Sequence, residues 1–236
     1  MVEYIVSFLE RGGAVVSRIF HSLGDQVFET IKDQIINNAY QPGEVLQIDK
    51  LAAEYGVSTT PVREALLRLE GLGLVDIERN KGAVVTLVSE KKSGYIWEFR
   101  CLLEAKVARD AAVSCTEKEM DGVERKLRHV LSHPDNFEMY MESDAALHSL
   151  LASHTENPLI LDSLNNLLVH ARRIRYFAEK GALRDEVIRE VTEEHCRILE
   201  ALRKRDPDLA AEMLVRHLLN AEERTRRALL AVSPTA

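Results

Sequence analysis

The sequence is poor in the residues that break helices or shape sheets. Its 236 residues include only 11 Gly and 6 Pro, and aromatics make up 6%. A β-sandwich needs turn residues at regular intervals and is disfavoured on that ground. Disorder is disfavoured too, because 46% of the residues are hydrophobic and can build a core. Cysteine is scarce. Cys101, Cys115 and Cys196 are an odd number with no C-x-x-C spacing, which argues against a disulfide framework or a cysteine zinc motif and suits a reducing cytoplasm. No apolar run reaches the ~20 residues that span a bilayer. The start carries Glu3, Glu10 and Arg11 where a signal peptide has a basic start and a clean apolar segment. Residues 1–20 read as an N-terminal extension, either a helical arm or an irregular start. Positive charge is short as well: 31 Lys+Arg against 38 Asp+Glu leave −7, which weighs against non-specific coating of nucleic acid.

What is present is helix-forming: Leu, Ala, Glu and Arg abound. Residues 23–39 read as a helix with Val27, Ile31, Ile35 and Ile36 on one face, stopped by Gln41-Pro42-Gly43. Residues 48–55 form a short helix ended by Gly56. A third helix runs from about 60 to 71, with Val62, Leu66 and Leu69 inward, Pro61 in its first turn, and Thr60 or Ser58 as cap. Two β-rich runs, 74–78 and 83–88, flank the polar turn Arg79-Asn80-Lys81-Gly82 and read as a hairpin. Beyond Ser89 the period is helical throughout, with helices near 92–114, 116–131, 135–153, 157–179, 185–204 and 208–230. The fold class is mainly α: a winged helix-turn-helix over 21–89, then an all-α six-helix bundle over 90–231.

Three helices and a hairpin make the winged form of the helix-turn-helix, whose second helix of the pair enters the major groove. Gly56 permits the tight turn, and Val57 plugs the core there. Ser58, Thr59, Thr60 and Arg63 cluster at the start of the third helix. Hydroxyls and free N–H groups there can hold phosphates, and Arg63 can reach phosphate or guanine. The plainer alternative is a small α+β domain with a capped helix. Residues 17–89 carry seven basic against ten acidic residues, a net of −3. DNA contact would therefore rest on few cations: Lys50, Arg63, Arg68, Arg79 and Lys81.

The run Gly56-Val57-Ser58-Thr59-Thr60-Pro61-Val62-Arg63-Glu64-Ala65-Leu66-Leu67-Arg68-Leu69-Glu70, followed by Gly73-Leu74, resembles the signature of GntR-family bacterial transcription regulators. The Tyr40-Gln41-Pro42-Gly43 stop and the Asn80-Lys81-Gly82 wing fit the same family. The resemblance implies double-stranded operator DNA as partner, with Ser58, Thr59, Thr60, Arg63, Arg68, Asn80, Lys81 and Gly82 at the DNA. One position departs: Thr59 stands where the family usually has Arg, which implies a different operator or a lower affinity.

In the helical part, Asp144 and His148 are four residues apart and share a face with Tyr140, Met141, Leu147 and Leu151. His195 sits on the stripe Ile188, Val191, Ile198, Leu202, and His217 on the stripe Ala210, Met213, Leu214, Ala221. Each of these two histidines stands eleven residues from Asp206. In an antiparallel hairpin both imidazoles then lie about 16 Å from the turn and converge. A lone histidine on an apolar face is more often a satisfied core residue. Three, with a carboxylate four residues before one of them, form an Asp/His₃ set suited to Zn²⁺, Ni²⁺ or Mn²⁺. His21, His129, His133, His154 and His170 lack such placement and read as surface or structural.

The stretch Trp97-Glu98-Phe99-Arg100-x-x-x-Glu104, together with Asp144-x-x-x-His148, Asn157-Pro158, Glu194-His195 and His217-Leu218, resembles the FCD ligand-binding domain of the FadR subfamily, in its metal-binding type. That resemblance implies a divalent metal on Asp144, His148, His195 and His217 and a small organic carboxylate as effector. Arg100 can clamp such a carboxylate bidentately. Of the basic cluster Arg172, Arg173 and Arg175, one or two could join it, Arg175 foremost. The simpler reading of the cluster is a solvated face or dimer salt bridges. The expectation is a homodimeric, cytoplasmic, effector-responsive regulator, a repressor, without a membrane association. No nucleophile motif, separate general base or Gly-rich phosphate loop is present, so an enzyme is not expected. The remaining competitor is a helical interaction module with structural histidines.

Overall fold

Ser22 opens α1 (Leu23–Ile36) with a capping box: its hydroxyl accepts from the Asp25 N–H, and Asp25 returns a bond to the Ser22 N–H. In the computed structural model the described residues are 22–78, 82–180 and 185–232. The extension 1–20 and the turn residues Arg79, Asn80 and Lys81 lie outside them. α1 stops three residues earlier than its apolar pattern suggested. Asn38 adopts φ +62, a left-handed conformation that Asn tolerates and that ends a helix.

β1 (Val45–Leu46), only two residues long, was not legible in the sequence. α2 (Ile48–Tyr55) ends at Gly56, whose φ of +66 makes the tight turn. α3 (Thr59–Gly71) follows, then β2 (Val75–Glu78) and β3 (Gly82–Val85). The sheet order is β1-β3-β2, all antiparallel, with Leu46 opposite Ala83 and Ile77 also opposite Ala83 on the other side. Gly82 is required by packing. A Cβ there would lie 2.7 Å from the Leu46 carbonyl oxygen. Val27, Ile31, Ile35, Val62, Leu66, Leu69, Leu74 and Val85 fill the core of this unit.

Six helices follow: α4 (Glu90–Ser114), α5 (Glu117–Ser132), α6 (Phe137–Ser153), α7 (Pro158–Glu179), α8 (Asp185–Arg203) and α9 (Pro207–Val232). Their starts are chemically marked. Thr116 and Glu119 form a capping box, Asn136 and Asn157 cap α6 and α7, and Pro158 occupies the first turn of α7. Asp206 Oδ1 accepts from the Leu209 N–H at the start of α9. The bundle core joins Trp97, Val107, Leu127, Leu147, Leu151, Ile198, Leu202 and Leu214. Among the described residues no helix is long and apolar enough to cross a membrane.

The two units touch along α7. His170 Nε2 donates to the Leu72 carbonyl at 2.8 Å. Arg173 donates to the Thr86 hydroxyl at 2.7 Å and to the Thr86 carbonyl. Ile36, the last residue of α1, is buried with Tyr140, Met141 and Tyr176 of the helical unit.

Candidate functional site

The apolar stripes of α6, α8 and α9 turn their polar exceptions toward one point. Asp144, His148, His195 and His217 are all buried, and one ligating atom from each lies within 4.8 Å of the others. His195 Nε2 and His217 Nε2 are 3.3 Å apart. Asp144 Oδ1 lies 3.5 Å from His195 Nε2 and 3.8 Å from His148 Nε2.

The outward sides of two of the rings are held by carboxylates, while among the described residues His195 Nδ1 is buried without a hydrogen bond. His148 Nδ1 donates to Glu104 Oε2, and His217 Nδ1 donates to Glu194 Oε2 at 2.8 Å. Each of these bonds places the proton on Nδ1 and leaves Nε2 as a lone pair facing inward. Glu104 is in turn held by Arg100 Nε at 2.5 Å. Glu194 is held by Arg224 and by Asn220 Nδ2, the latter at 2.8 Å. Arg175 Nη1 lies 2.7 Å from Asp144 Oδ2, which leaves Asp144 Oδ1 buried without a hydrogen bond.

Electrostatics agree with that arrangement. Burial opposes the charge on Asp144, yet the Arg175 guanidinium outweighs it and holds the carboxyl below its usual range. Burial likewise opposes Glu104, but Arg100 and His148 bring its pKa down to about 2. Burial pushes the His195 imidazole well below its ordinary value, and the neighbouring His217 ring adds to this. His217 is lowered by burial against the pull of Glu194. Inward-facing imidazole nitrogens beside an ionised, unpartnered carboxylate oxygen are the donor set of a divalent cation.

A cavity of about 330 Å³ opens beside Asp144. Arg100, Arg172 and Arg175 line it, and so do Lys32, Asp33 and Ile36 from α1 of the other unit. Small carboxylates fit this volume.

The second face is at the start of α3. Ser58 is the N-cap but makes no side-chain capping bond, so its hydroxyl and the first N–H groups remain open. Ser58, Thr60 and Arg63 are exposed and Thr59 is half-buried. Arg63 and Gly82 border a concavity of about 650 Å³ between α2, α3 and the wing.

Comparison with known proteins decides what these two faces belong to. A model described as "Bacterial regulatory proteins, gntR family" matches residues 23–85, and an FCD domain model matches residues 95–220. The chain belongs to the GntR family of bacterial regulatory proteins. Its helical part is an FCD domain. This GntR regulator is 27% identical over 207 residues to the transcriptional repressor RspR of Escherichia coli K12, covering 87% of this chain and 90% of that one. It is 27% identical to the transcriptional regulator LutR of Bacillus subtilis (80% and 94% covered), and 26% identical to the transcriptional repressor NanR of E. coli (83% and 81% covered). Among solved structures, E. coli McbR/YncC superposes with a TM-score of 0.78 at 22% identity, covering 88% of this chain and 99% of that one. The metal-free FCD domain of TM0439 superposes with a TM-score of 0.53 at 22% identity, covering 61% of this chain and 99% of that domain. Both structural likenesses speak to the fold alone. Family and relatives are transcriptional regulators, not enzymes.

Several expected residues stand elsewhere than the sequence reading put them. Arg68 is carried to α1 of this regulator: its guanidinium stacks 3.9 Å from the Phe28 ring centroid and pairs with Asp25 at 2.7 Å. Five residues after Arg63, it points about 140° away from it around α3. Arg100 and Arg175 line the cavity, but both are already paired inside the protein. Arg175 binds Asp144, Glu179 and Tyr140. The simpler reading of the cluster as a solvated face fails for Arg173 and Arg175, which are 4% exposed. Their partners Asp144, Glu179 and Thr86 lie four residues along the helix or on other elements. Asn80 and Lys81 fall outside the described residues.

The outer carboxylates Glu104 and Glu194 were not read as functional. Glu104 follows Arg100 at i+4 and Glu194 adjoins His195, a signal of polar neighbours around candidate ligands that spacing alone leaves without a role.

Proposed function

We propose that this GntR regulator is a repressor of the FadR subfamily that binds a divalent metal and a small organic carboxylate in its helical part, and that the carboxylate alters operator binding. The observation that carries this reading is the convergence of Asp144 Oδ1 with the histidines 148, 195 and 217, two of whose rings are held from behind by Glu104 and Glu194. Those four residues would hold the ion. A bound divalent ion supplies an electrophilic point for a carboxylate oxygen. Arg100 and Arg175, at the cavity wall, orient Glu104 and Asp144 and present guanidinium edges to the same ligand.

The coupling rests on who shares the cavity. Lys32, Asp33 and Ile36 belong to α1, which packs on α3 through Arg68 and the apolar core. An occupant of the cavity therefore touches both units. It shifts operator affinity to the extent that it prefers one placement of α1 over the other.

Operator reading falls to Ser58, Thr59, Thr60, Arg63 and the wing residues Asn80, Lys81 and Gly82, in a cytoplasmic homodimer whose two-fold axis matches a palindromic site. Arg68 acts by holding α3 on α1. The parts played by 21–89 and 90–231 are those of DNA reader and effector domain.

A thermal-shift screen of small organic acids, with and without chelator, tests metal and ligand class together. A ligand of the native state raises the apparent melting temperature. The reading expects stabilisation by at least one acid, lost with chelator. Stabilisation insensitive to chelator would remove the metal from it.

A further inference from the structure

Away from the Asp144 centre, three helix ends meet at Cys115, Glu119 and His154. Cys115 is the C-cap of α4, Glu119 is the third residue of α5, and His154 is the C-cap of α6. One ligating atom from each lies within 4.8 Å of the others. Cys115 is buried, and the His154 side chain is 13% exposed.

Neighbours fix the His154 tautomer. The Ser114 hydroxyl has one proton and donates it to the Asp110 carbonyl at 2.9 Å. Its oxygen therefore accepts from His154 Nδ1 at 2.8 Å. With Nδ1 engaged by Ser114, Nε2 is the ring nitrogen left for a further partner. Nε2 is buried, makes no hydrogen bond, and faces Glu119 Oε1 at 3.5 Å. Glu119 Oε2 is already committed to the Thr116 N–H and hydroxyl, so Oε1 is the free oxygen. These two atoms meet next to a thiol that, among the described residues, makes one long hydrogen bond, 3.8 Å, to the Thr116 carbonyl.

A cation between them would satisfy both atoms. A proton would satisfy His154 and Glu119 but leaves Cys115 without a part. Sulfur, imidazole nitrogen and carboxylate oxygen around one point are the mixed set that zinc-class ions take. We propose that Cys115, Glu119 and His154 form a second divalent-metal site, for a zinc-class ion, distinct from the Asp144 centre. A tetrahedral ion holds such atoms roughly 3.3–3.8 Å apart, within reach of small side-chain rotations from the observed spread. Binding releases the Cys115 thiol proton to solvent. His154 follows His148 by six residues, about 9 Å along α6, so one ion does not serve both sites. The ion would staple the α4–α5 corner to the end of α6. Arg205 already braces that corner by donating to the Cys115 carbonyl at 2.5 Å. Spacing along the chain concealed the site, because its ligands come from three separate helix ends.

The proposal goes beyond the function proposed above and is tested apart from it, because the Asp144 centre contains no sulfur. Metal-free full-length protein is titrated with Co²⁺ and followed by absorbance. The expected result is an equivalent that brings a thiolate-to-cobalt charge-transfer band in the near ultraviolet. Cys115→Ser abolishes the band, and His154→Gln or Glu119→Gln, which keep the fold and the α5 cap, weaken that equivalent at least tenfold. The band persists in His217→Ala, whatever becomes of the first centre. Absence of the band in the wild-type protein overturns the proposal. So does a band that survives Cys115→Ser or is unmoved by His154→Gln.

Discussion

Arg175 Nη1 and Asp144 Oδ2 meet at 2.7 Å, and the other oxygen of Asp144 turns toward the imidazoles with no hydrogen bond of its own. The arginine thus sets the direction in which the carboxylate offers its free lone pairs. It acts from a buried position, with its Nε 3.2 Å from Glu179 and an Nη2 bond to the Tyr140 hydroxyl.

Removing that orienting group has a predictable cost. Arg175→Ala leaves Asp144 and Glu179 buried without their cation, which destabilises the fold by about 3–5 kcal/mol. It also weakens metal binding by roughly 10–100-fold, as losing an outer-shell partner does. Competition against a chromophoric chelator measures the second effect, and urea unfolding the first. Arg175→Lys recovers part of the stability but less of the affinity, because a point charge does not reproduce the fork.

The metal ligands themselves predict a chelator effect confined to intact protein. At a metal concentration 1,000 times the dissociation constant, binding stabilises by about 4 kcal/mol. Chelation should lower the melting temperature of the wild-type protein and leave that of His148→Ala or His217→Ala unchanged. Equal chelator sensitivity in all three, with Cys115→Ser as background to remove the second site, would mean that these histidines are structural.

Stability of the metal-free protein should fall as the solution is acidified below the ordinary histidine value of 6.5. Burial holds His195 and His217 below that value in the folded state. Below it the unfolded chain takes up protons that the native chain refuses, so the native state loses ground by up to about 1.4 kcal/mol per pH unit for each histidine. Glu104, with burial overcome by Arg100 and His148 and its pKa near 2, adds stability above 4.5 that is lost as pH falls toward 2. The urea midpoint should decline steadily from pH 6.5 to 5, and less steeply in His195→Leu. A flat profile over that interval would contradict the assignment of buried neutral rings.

Much of this was legible in the sequence because the helix boundaries carry chemical marks. Pro158, Asn157, Asp206 and the Thr116–Glu119 box set starts within one or two residues of the expected ones. The inward turn of Asp144, His148, His195 and His217 followed from stripes of three-to-four-residue period. β1 was not legible, since two residues have no period. The end of α1 was missed because Asn38 takes a conformation decided by one backbone angle, and the burial of Arg173 was not legible because its partner Thr86 lies on another element.

The two arginines of α3 should separate cleanly. Arg63→Ala is expected to cost about 1–3 kcal/mol of operator binding with little change in stability. Arg68→Ala removes a solvent-exposed ion pair with Asp25, which contributes little to stability, together with its stacking on Phe28. It should lower the melting temperature slightly and leave base preference unchanged. Anisotropy with a selected operator and single-base variants distinguishes them. A change of base preference in Arg68→Ala would return that residue to the DNA.

The central claim is that a ligand in the cavity beside Asp144 governs operator affinity through a metal. Its most direct test is the operator dissociation constant of the full-length, metal-loaded protein, measured across a panel of small mono- and dicarboxylates and repeated in His148→Ala. The account predicts that at least one acid shifts the wild-type constant fivefold or more, the lower range of allosteric coupling, and that the shift vanishes in the variant. An operator constant unmoved by every acid, or moved equally in the variant, would contradict it.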